Sequence, residues 1–584
     1  MRRDALAGAV PYLAAAAGWG AELLLKGVPG AASGAVLGAS SAVMSRGGPA
    51  ALPGGLAVLA PLLGEAAARV FSPAAGDLVS GLLCWAGWGL AGLAAAEGRL
   101  RRAPAGGARG LSVVLGRKGR EPVVLRERDR FLHVLVVGTT GTGKTSRVLK
   151  PMIYQDLEAM ARGERLGVTV VEPKGDLADS VAAMAREMGL EVVYLNPLDP
   201  ASPRFNPLEG EEDEVAEIMR TVLTSLFGKQ EAFFSNVQQI ACRNTVKLLK
   251  RLRGNDVTMV HMADALRNPA VLEGYVAELE AREGHSALTG YFRAEVLGKL
   301  QDKMQQFALG LRLQVEDLLG NDMLRRLFDG PSGIDLDRHL EGGQVLVVNT
   351  AMGALGKLGD VFGQFVVMHL QNAVFRRPGN EWTRVPHCLY IDEFPRYLNP
   401  DFERLLAIGR SYRCGVVLAL QNTSQLLLTD ARQPDAFRNV VLGNCRTKVV
   451  LNLDDAEDAG RFARELGEVW VEEESTTVRR VPGLWGWHRD SRTYRRVSRP
   501  VFSPTELQNL EPGTGVVRTV RDGCPQPPVK VCFDLAPPDR RPKAERLRKA
   551  EWGELEVLVP EVKRGLEVIV PEKKPFLPGG GDGV

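Results

Sequence analysis

The chain has few of the residues that build disulfide frameworks or metal centres. Its 584 residues include seven cysteines and seven histidines, and no two cysteines form a Cys-x-x-Cys pair. An odd number of scattered cysteines favours reduced thiols in a cytosolic body over a disulfide scaffold, and the histidines show no metal-ligand spacing beside them. We therefore predict no structural zinc.

The chain also has almost no net charge. Its 73 Lys and Arg against 70 Asp and Glu leave a formal charge of +3. This balance argues neither for nor against nucleic acid as a partner, so any basic footprint must be local. A chain of this length is expected to form two to four structural units.

Charge is missing altogether from four runs in the first hundred residues, at 5–21, 27–45, 47–64 and 78–96. Several of them approach the ~20 residues that a membrane-spanning helix needs. Arginines precede the first run and cluster after the last, so both flanks are expected to be cytoplasmic and the number of crossings even. Four crossings would make Arg46 a cytoplasmic turn, whereas two would use only the first and last runs. A cleaved signal peptide followed by buried helices is the alternative to a membrane anchor.

The segment FLHVLVVGTTGTGKTSR, residues 131–147, contains a complete P-loop pattern. The apolar run 134–137 predicts a buried parallel strand, and a helix is expected to begin near Lys144. Glycines let backbone N–H groups surround phosphate oxygens, Lys144 can reach the β- and γ-phosphates, and the Thr145 hydroxyl can bind Mg²⁺. The predicted nucleotide-binding residues are Gly138, Thr139, Thr140, Gly141, Thr142, Gly143, Lys144, Thr145 and Ser146.

Further apolar runs alternate with helical periodicity, which predicts an α/β fold with a parallel sheet. These runs lie at 168–171, 191–195, 344–349, 388–391 and 416–420. The first ends in Glu172-Pro173-Lys174-Gly175-Asp176, where Asp176 is predicted to cap the next helix.

The predicted units follow from these changes of pattern. Long helical periodicity with almost no strand signal predicts an all-α subdomain inserted into the α/β domain. The units are a membrane anchor at 1–98, a nucleotide-binding domain at 99–212 and 336–536, the all-α insertion at 213–335, and a flexible tail at 537–584.

Polar residues follow two of the predicted strands. Asp392 and Glu393 come directly after run 388–391, and the carboxyl ends of parallel strands are where ligands bind. Asp392 can hold the Mg²⁺ hydration shell while Glu393 polarises the attacking water. Solvated carboxylates at a strand end are the commoner meaning of such a pair, but the P-loop upstream favours hydrolysis. Gln421 follows run 416–420 and can sense the γ-phosphate, with an ordinary surface turn as the alternative.

A basic segment at 478–500 combines arginines with aromatic side chains. Such a mixture suits single-stranded DNA, because guanidinium groups meet phosphates and rings stack on bases. It equally suits a twisted hairpin with a solvated face. The residues concerned are Arg479, Arg480, Trp485, Trp487, Arg489, Arg492, Tyr494, Arg495, Arg496 and Arg499.

Together these motifs resemble the type IV secretion coupling proteins, the TraG/TraD-like ATPases that feed DNA into conjugation channels. The resemblance covers the anchor, the P-loop, the Glu-Pro-Lys-Gly-Asp segment, the all-α insertion, the Asp392-Glu393-Phe394-Pro395 element and Gly409-Arg410. It continues through Gln421 with 424–426 and through the segments 444–468 and 499–517. One position departs from the family, which usually has Asp where this chain has Glu172.

The resemblance implies a RecA-like P-loop ATPase domain that binds ATP and Mg²⁺ and assembles as a ring, expected to be a homo-hexamer, with DNA in a central channel. Arg410 would be an arginine finger that reaches the neighbouring subunit's nucleotide; the alternative is an ion pair with Glu403. The implied catalytic residues are Lys144, Glu393, Gln421 and Arg410, with Thr145 and Asp392 as Mg²⁺ ligands.

The resemblance also implies partners and a location. The partners would be DNA, relaxase and other relaxosome proteins, and the inner-membrane components of the secretion channel. The chain would be a multi-pass protein of the bacterial inner membrane with a cytoplasmic ATPase domain.

Two other functions stay open at this point. A septal chromosome translocase shares the ring motor and the anchor, but it is expected to carry a winged-helix DNA reader, and no such pattern follows Leu535. A receptor that binds secretion cargo and uses nucleotide only as an assembly signal has no need of the water-polarising carboxylate of Glu393.

Overall fold

The computed structural model describes residues 110–226, 231–299, 301–428, 433–480 and 487–540. The four charge-free runs near the N-terminus and the tail beyond residue 540 lie outside these ranges. Within these ranges, no helix combines the length and apolarity that crossing a membrane requires. The anchor and its number of crossings therefore stay predictions.

The described residues form fifteen strands, of which eleven build one large sheet. The strands are β1 (Val113–Lys118), β2 (Glu121–Leu125), β3 (Val134–Val137), β4 (Gly167–Glu172), β5 (Val192–Leu195), β6 (Val345–Asn349), β7 (His387–Ile391), β8 (Cys414–Leu420), β9 (Thr447–Val450), β10 (Glu468–Arg480), β11 (Trp487–Pro500), β12 (Thr514–Arg518), β13 (Val520–Arg521), β14 (Cys524–Pro525) and β15 (Val529–Cys532). The large sheet has the order β2-β1-β15-β12-β9-β3-β8-β7-β4-β6-β5. Its seven strands from β9 to β5 are parallel, and β12, β15, β1 and β2 extend it with antiparallel pairs.

Apolar side chains on both faces explain why the central strands are parallel and buried. In β3, Leu135 and Val137 pack into the core on one face of the sheet, while Val134 and Val136 pack into the core on the other. This alternation is the two-residue period of an extended strand. The predicted α/β fold with a parallel sheet is confirmed, and the predicted strand positions agree with the observed ones to within two residues.

Seventeen α-helices of the described chain cover the sheet and extend from it. They are α1 (Glu127–Arg130), α2 (Lys150–Ala161), α3 (Asp176–Glu187), α4 (Glu212–Leu226), α5 (Ala232–Arg253), α6 (Met259–Arg267), α7 (Pro269–Glu283), α8 (Ala287–Tyr291), α9 (Gln301–Gly320), α10 (Asp322–Phe328), α11 (Leu336–Gly342), α12 (Met352–Leu355), α13 (Lys357–Arg376), α14 (Phe402–Ile408), α15 (Ala436–Asn444), α16 (Ala456–Leu466) and α17 (Pro504–Gln508). A π-helical turn, Lys144–Leu149, precedes α2.

The chain between β5 and β6 contains helices α4 to α11 and no strand among its described residues. Val215 of α4, Leu249 of α5 and Val315 of α9 belong to the same buried cluster as Leu346 of β6. The helical segment and the sheet therefore share one continuous core. Its treatment as an inserted subdomain with boundaries at 213 and 335 stays a proposal.

The basic segment forms the end of β10 and the whole of β11, which pair as a long hairpin separate from the large sheet. Arg496 pairs with Glu472 at 3.0 Å, and Arg499 pairs with Glu473 of the facing strand. The hairpin alternative is therefore what the structure contains. DNA binding by this segment stays a prediction, and Trp485 lies outside the described residues.

Candidate functional site

The P-loop connects β3 to the helix that begins at Lys144, as predicted. Gly143 has a φ of 99°, and a Cβ there would also lie 3.0 Å from the Arg147 side chain, so the turn requires glycine. The Lys144 ammonium donates to the carbonyl oxygens of Gly138 at 2.5 Å and Thr139 at 3.0 Å, which holds it over the loop. Burial lowers the pKa of Lys144, against the opposing charges of Asp392 and Glu393.

Asp392 meets the P-loop through a direct hydrogen bond. The Thr145 hydroxyl donates to Asp392 Oδ2 at 2.6 Å, and Asp392 is only 5% exposed. Burial raises the pKa of Asp392, whereas the hydrogen bonds from Thr145 and the Glu393 backbone oppose this rise. Two neighbouring oxygen donors, one of them a carboxylate, are the ligand type that Mg²⁺ takes, with phosphate oxygens and waters completing its shell.

Both carboxylate oxygens of Glu393 have cationic partners. Lys174 Nζ lies 2.8 Å from Oε1, and Arg396 Nε lies 2.8 Å from Oε2. Burial favours a higher pKa for Glu393, but the hydrogen bonds and charges of Arg396 and Lys174 outweigh it and lower the pKa. Glu393 is therefore ionised at neutral pH, as a general base requires. Its φ of 50° is uncommon for a residue with a side chain.

Glu172 shapes the loop that carries Lys174. Its carboxylate accepts N–H bonds from Lys174 at 2.8 Å and Gly175 at 2.6 Å. The prediction that Asp176 caps α3 is wrong, since the cap residue is Gly175 in a left-handed conformation and no side-chain cap bond forms. The longer Glu172 side chain reaches the helix start from the end of β4 instead, which gives the family departure at this position a structural role.

These residues surround one cavity of about 490 Å³ at the carboxyl ends of the parallel strands. β8, which ends just before Gln421, lies between β3 and β7. The predicted site residues that line the cavity are Thr140, Gly141, Gly143, Lys144, Thr145, Ser146, Asp392, Glu393 and Gln421. The other three P-loop residues shape the loop: the carbonyl oxygens of Gly138 and Thr139 bind Lys144, and the Thr142 hydroxyl donates to the Thr139 carbonyl at 2.7 Å.

Sequence reasoning missed a C-terminal segment that also lines this cavity. Leu535 and Asp539 reach it, and Asp539 forms an ion pair with Lys150 at 2.7 Å. Arg147 donates to the Phe533 carbonyl at 3.1 Å. These partners are separated by almost four hundred residues in the chain, so no local pattern could have linked them. Lys174 stood within a recognised segment, but nothing in that segment identified Glu393 as its partner.

Arg410 lies apart from the other predicted catalytic residues. It is exposed in the short turn Gly409–Tyr412 and is not among the residues lining the cavity. Within the described chain it forms no ion pair, so the alternative pairing with Glu403 is not observed. Its predicted contact with a neighbouring subunit stays a prediction.

A strand, a P-loop and a helix, with the carboxylate from a nearby parallel strand bonded to the P-loop threonine, define a P-loop nucleotide-binding protein. Two family profiles match this chain: "Type IV secretory system Conjugative DNA transfer" over residues 102–277, and "TraM recognition site of TraD and TraG" over residues 386–512. The chain therefore belongs to the type IV secretion coupling proteins, as its motifs predicted. Among curated proteins, none matches it.

Solved structures show the same fold. The unbound bacterial conjugative coupling protein TrwBdeltaN70 is 22% identical, with a TM-score of 0.54 over 76% of this chain and 93% of that chain. The plasmid coupling protein TrwB in complex with ADP and Mg²⁺ is 21% identical, with a TM-score of 0.53 over 75% and 92%. TrwB in complex with a non-hydrolysable ATP analogue is 21% identical, with a TM-score of 0.53 over 76% of this chain and 94% of that chain. At this identity the likeness concerns the fold.

Proposed function

We propose that this chain is a membrane-anchored, DNA-stimulated ATPase that moves DNA from a relaxosome into a type IV secretion channel. The observation that carries the enzymatic part is the 2.6 Å contact between Thr145 and Asp392, with Lys144 and Glu393 in the same cavity. The DNA and secretion parts rest on the family to which the chain belongs. The structures of TrwB with ADP and Mg²⁺ or an ATP analogue support ATP and Mg²⁺ as the cofactors.

Each residue has a separate task in this proposal. The P-loop backbone N–H groups and Lys144 bind the phosphates, and Thr145 with Asp392 would hold Mg²⁺. The metal supplies charge neutralisation at the phosphates when bound. Glu393 orients the attacking water and accepts its proton. Gln421 senses whether the γ-phosphate is present.

The proposal includes a ring whose subunits share each site. Arg410 is exposed and outside its own subunit's cavity, which supports a role across a subunit boundary. An arginine supplied in this way stabilises the charge that develops during phosphoryl transfer and contributes about 10³–10⁵-fold in rate in other P-loop enzymes.

The test is ATP hydrolysis by the full-length chain in detergent, with and without DNA, over a range of protein concentrations. We expect the rate to rise with DNA and steeply with protein concentration. Lys144→Ala and Arg410→Ala should abolish it, and Glu393→Gln should lower it by about 10²–10⁴-fold. The control is Arg267→Gln, which removes only an exposed ion pair with Glu316 on distant helices.

Either of two results would contradict the motor. One is the absence of hydrolysis at every concentration, and the other is DNA transfer that survives Glu393→Gln. Both would favour a receptor that binds secretion cargo and uses nucleotide only as an assembly signal.

A further inference from the structure

A second cavity, of about 400 Å³, lies at the amino ends of the parallel strands, opposite the end that carries the nucleotide cavity. Lys448 lies near the start of β9, and Arg518 ends β12, which runs antiparallel to β9. The nucleotide cavity instead follows the carboxyl ends of the strands parallel to β9. The two cavities share no lining residue. We call this one the basic cavity because Arg446, Lys448, Arg461 and Arg518 line it.

The basic cavity brings like charges together. Lys448 and Arg518 are directly opposite each other in neighbouring strands, an arrangement that destabilises a sheet. Among the described lining residues the only carboxylate is Glu465, which lies 3.4 Å from Lys448 Nζ. Arg518 instead donates to the main-chain oxygen of Glu465 at 2.5 Å. The described lining residues thus include four cations and one carboxylate.

One of the four cations has a structural role. Lys448 Nζ donates to the carbonyl oxygens of Leu442 at 2.8 Å and Cys445 at 3.2 Å, at the C-terminal end of α15. A lysine at that position satisfies carbonyl groups that the helix leaves without partners. Lys448 is therefore held by the fold.

The guanidinium groups have donors left over. Arg461 pairs with Glu457, a largely exposed carboxylate that also attracts Arg438, and Arg461 Nε is buried without an acceptor among the described residues. Arg446 is exposed, and its one side-chain bond in the described chain is to the Gly523 carbonyl at 3.2 Å. Three arginines with spare donors around one cavity can bind an anion with several oxygens, because the guanidinium fork matches phosphate geometry.

We propose that Arg446, Arg461 and Arg518 bind one backbone phosphate of the DNA that this protein moves; this inference rests on the proposed function. Binding through phosphate alone is independent of sequence, which suits a motor that must pass any sequence. A phosphate contact in the basic cavity would hold the DNA strand away from the site of ATP hydrolysis.

The test measures binding of a fluorescent single-stranded oligonucleotide and of its duplex to the full-length chain by anisotropy, over a series of salt concentrations. Arg446→Gln/Arg461→Gln should bind single-stranded DNA about tenfold more weakly. The slope of log affinity against log salt should fall by about 0.7, the value for one single-strand phosphate. Arg446→Gln alone, at an exposed position, should weaken binding less and keep the wild-type melting temperature.

The control variant is Arg267→Gln, which makes the same charge change as Arg446→Gln but outside both cavities, and it should bind like the wild type. Equal affinity and equal slope in the control, the double variant and the wild type would overturn the basic cavity as a DNA site. If the wild type itself binds no DNA, the proposed function fails as well, so the two failures are distinguishable.

Two further binding experiments test whether the basic cavity binds a phosphate group that does not belong to DNA. Inorganic phosphate, compared with chloride at equal ionic strength, and vesicles of anionic phospholipid are each added to the wild type and the double variant. A loss of phosphate or vesicle binding in the double variant, with DNA binding unchanged, overturns the DNA assignment. A loss of DNA binding together with phosphate binding supports it.

Discussion

Glu393 is held by two cations whose own surroundings differ. Arg396 also approaches Asp360 of α13 at 3.5 Å, so it is fixed on two sides. The Lys174 side chain is 49% exposed and lines the nucleotide cavity. A carboxylate that accepts a proton from water needs a free oxygen, and Lys174 is the partner better placed to release one. We therefore regard Lys174 as a residue that positions Glu393.

Replacing Lys174 is expected to change the pH dependence of hydrolysis. The ion pairs lower the pKa of Glu393, so the carboxylate stays ionised at a pH where a free glutamate gains its proton. In Lys174→Ala one of these causes is lost, the pKa of Glu393 rises, and the acid limb of kcat against pH should move to higher pH. Lys174→Arg keeps the charge and should keep the limb near its wild-type position. Coinciding limbs in Lys174→Ala and the wild type would contradict this role.

At the scale of elements, α13 lies very close to the turn that carries Glu393 and Arg396. A Cβ at Gly363 would lie 2.3 Å from a ring carbon of Tyr397, which is fully buried. Only glycine permits this approach without a shift of the helix or the ring. The helix that carries Asp360 is thereby brought to Arg396.

Gly363→Ala should lower the free energy of unfolding by about 1–3 kcal/mol, the usual cost of overpacking a core. Denaturant unfolding of the full-length chain measures the change. Gly353→Ala is the matched control, since Gly353 is exposed and a Cβ there meets nothing within 4 Å. A control variant as unstable as Gly363→Ala would show that close packing is not the cause.

Helices α1 and α2 are joined by a buried ion pair. Arg130 and Asp156 are 3% and 1% exposed and form two hydrogen bonds, at 2.7 and 2.6 Å. The Tyr390 hydroxyl of β7 also donates to Asp156 at 2.6 Å. The pair thus connects two helices to a central strand.

Asp156→Ala should cost about 3–5 kcal/mol of stability, because the Arg130 charge would remain buried without its partner. The comparison is Glu316→Ala, which breaks partly exposed ion pairs with Arg267 and Arg312 and should cost about 1 kcal/mol. Thermal or denaturant unfolding decides between them. Equal losses would mean that burial does not set the cost of breaking these pairs.

At the scale of the whole molecule, the proposed ring predicts that inactive variants complement each other. In the proposed ring, each site would combine Glu393 of one subunit with Arg410 of the next. Mixing Glu393→Gln with Arg410→Ala subunits should therefore restore some ATP hydrolysis, because some boundaries then contain both intact residues. Each variant alone stays inactive. A mixture as inactive as its parts would argue that Arg410 does not act across a subunit boundary.

Much of the fold was predictable because its signals are local. The uninterrupted apolar run of β3 specifies a strand buried on both faces, and the glycines before Lys144 specify the turn into a helix. The strand ends at Asp392 and Gln421 were predictable for the same reason. The sequence by itself thus determined the six strands β3 to β8, that they are parallel, and which polar residues follow β7 and β8. The antiparallel extension by β12, β15, β1 and β2 was not predicted.

Only the tertiary structure decided which distant side chains meet. These contacts depend on how strands far apart in the chain are ordered and paired. They are the ion pair of Lys174 with Glu393, the ion pair of Lys150 with Asp539, and the arginines that line the basic cavity. The start of α3 was decided in the same way, since the Glu172 carboxylate at the end of β4 accepts N–H bonds from Lys174 and Gly175, and Asp176 does not cap the helix. The periodicity of apolar residues depends only on neighbours along the chain. The contacts above could not be predicted from it, because they join residues that are neighbours only in the folded protein.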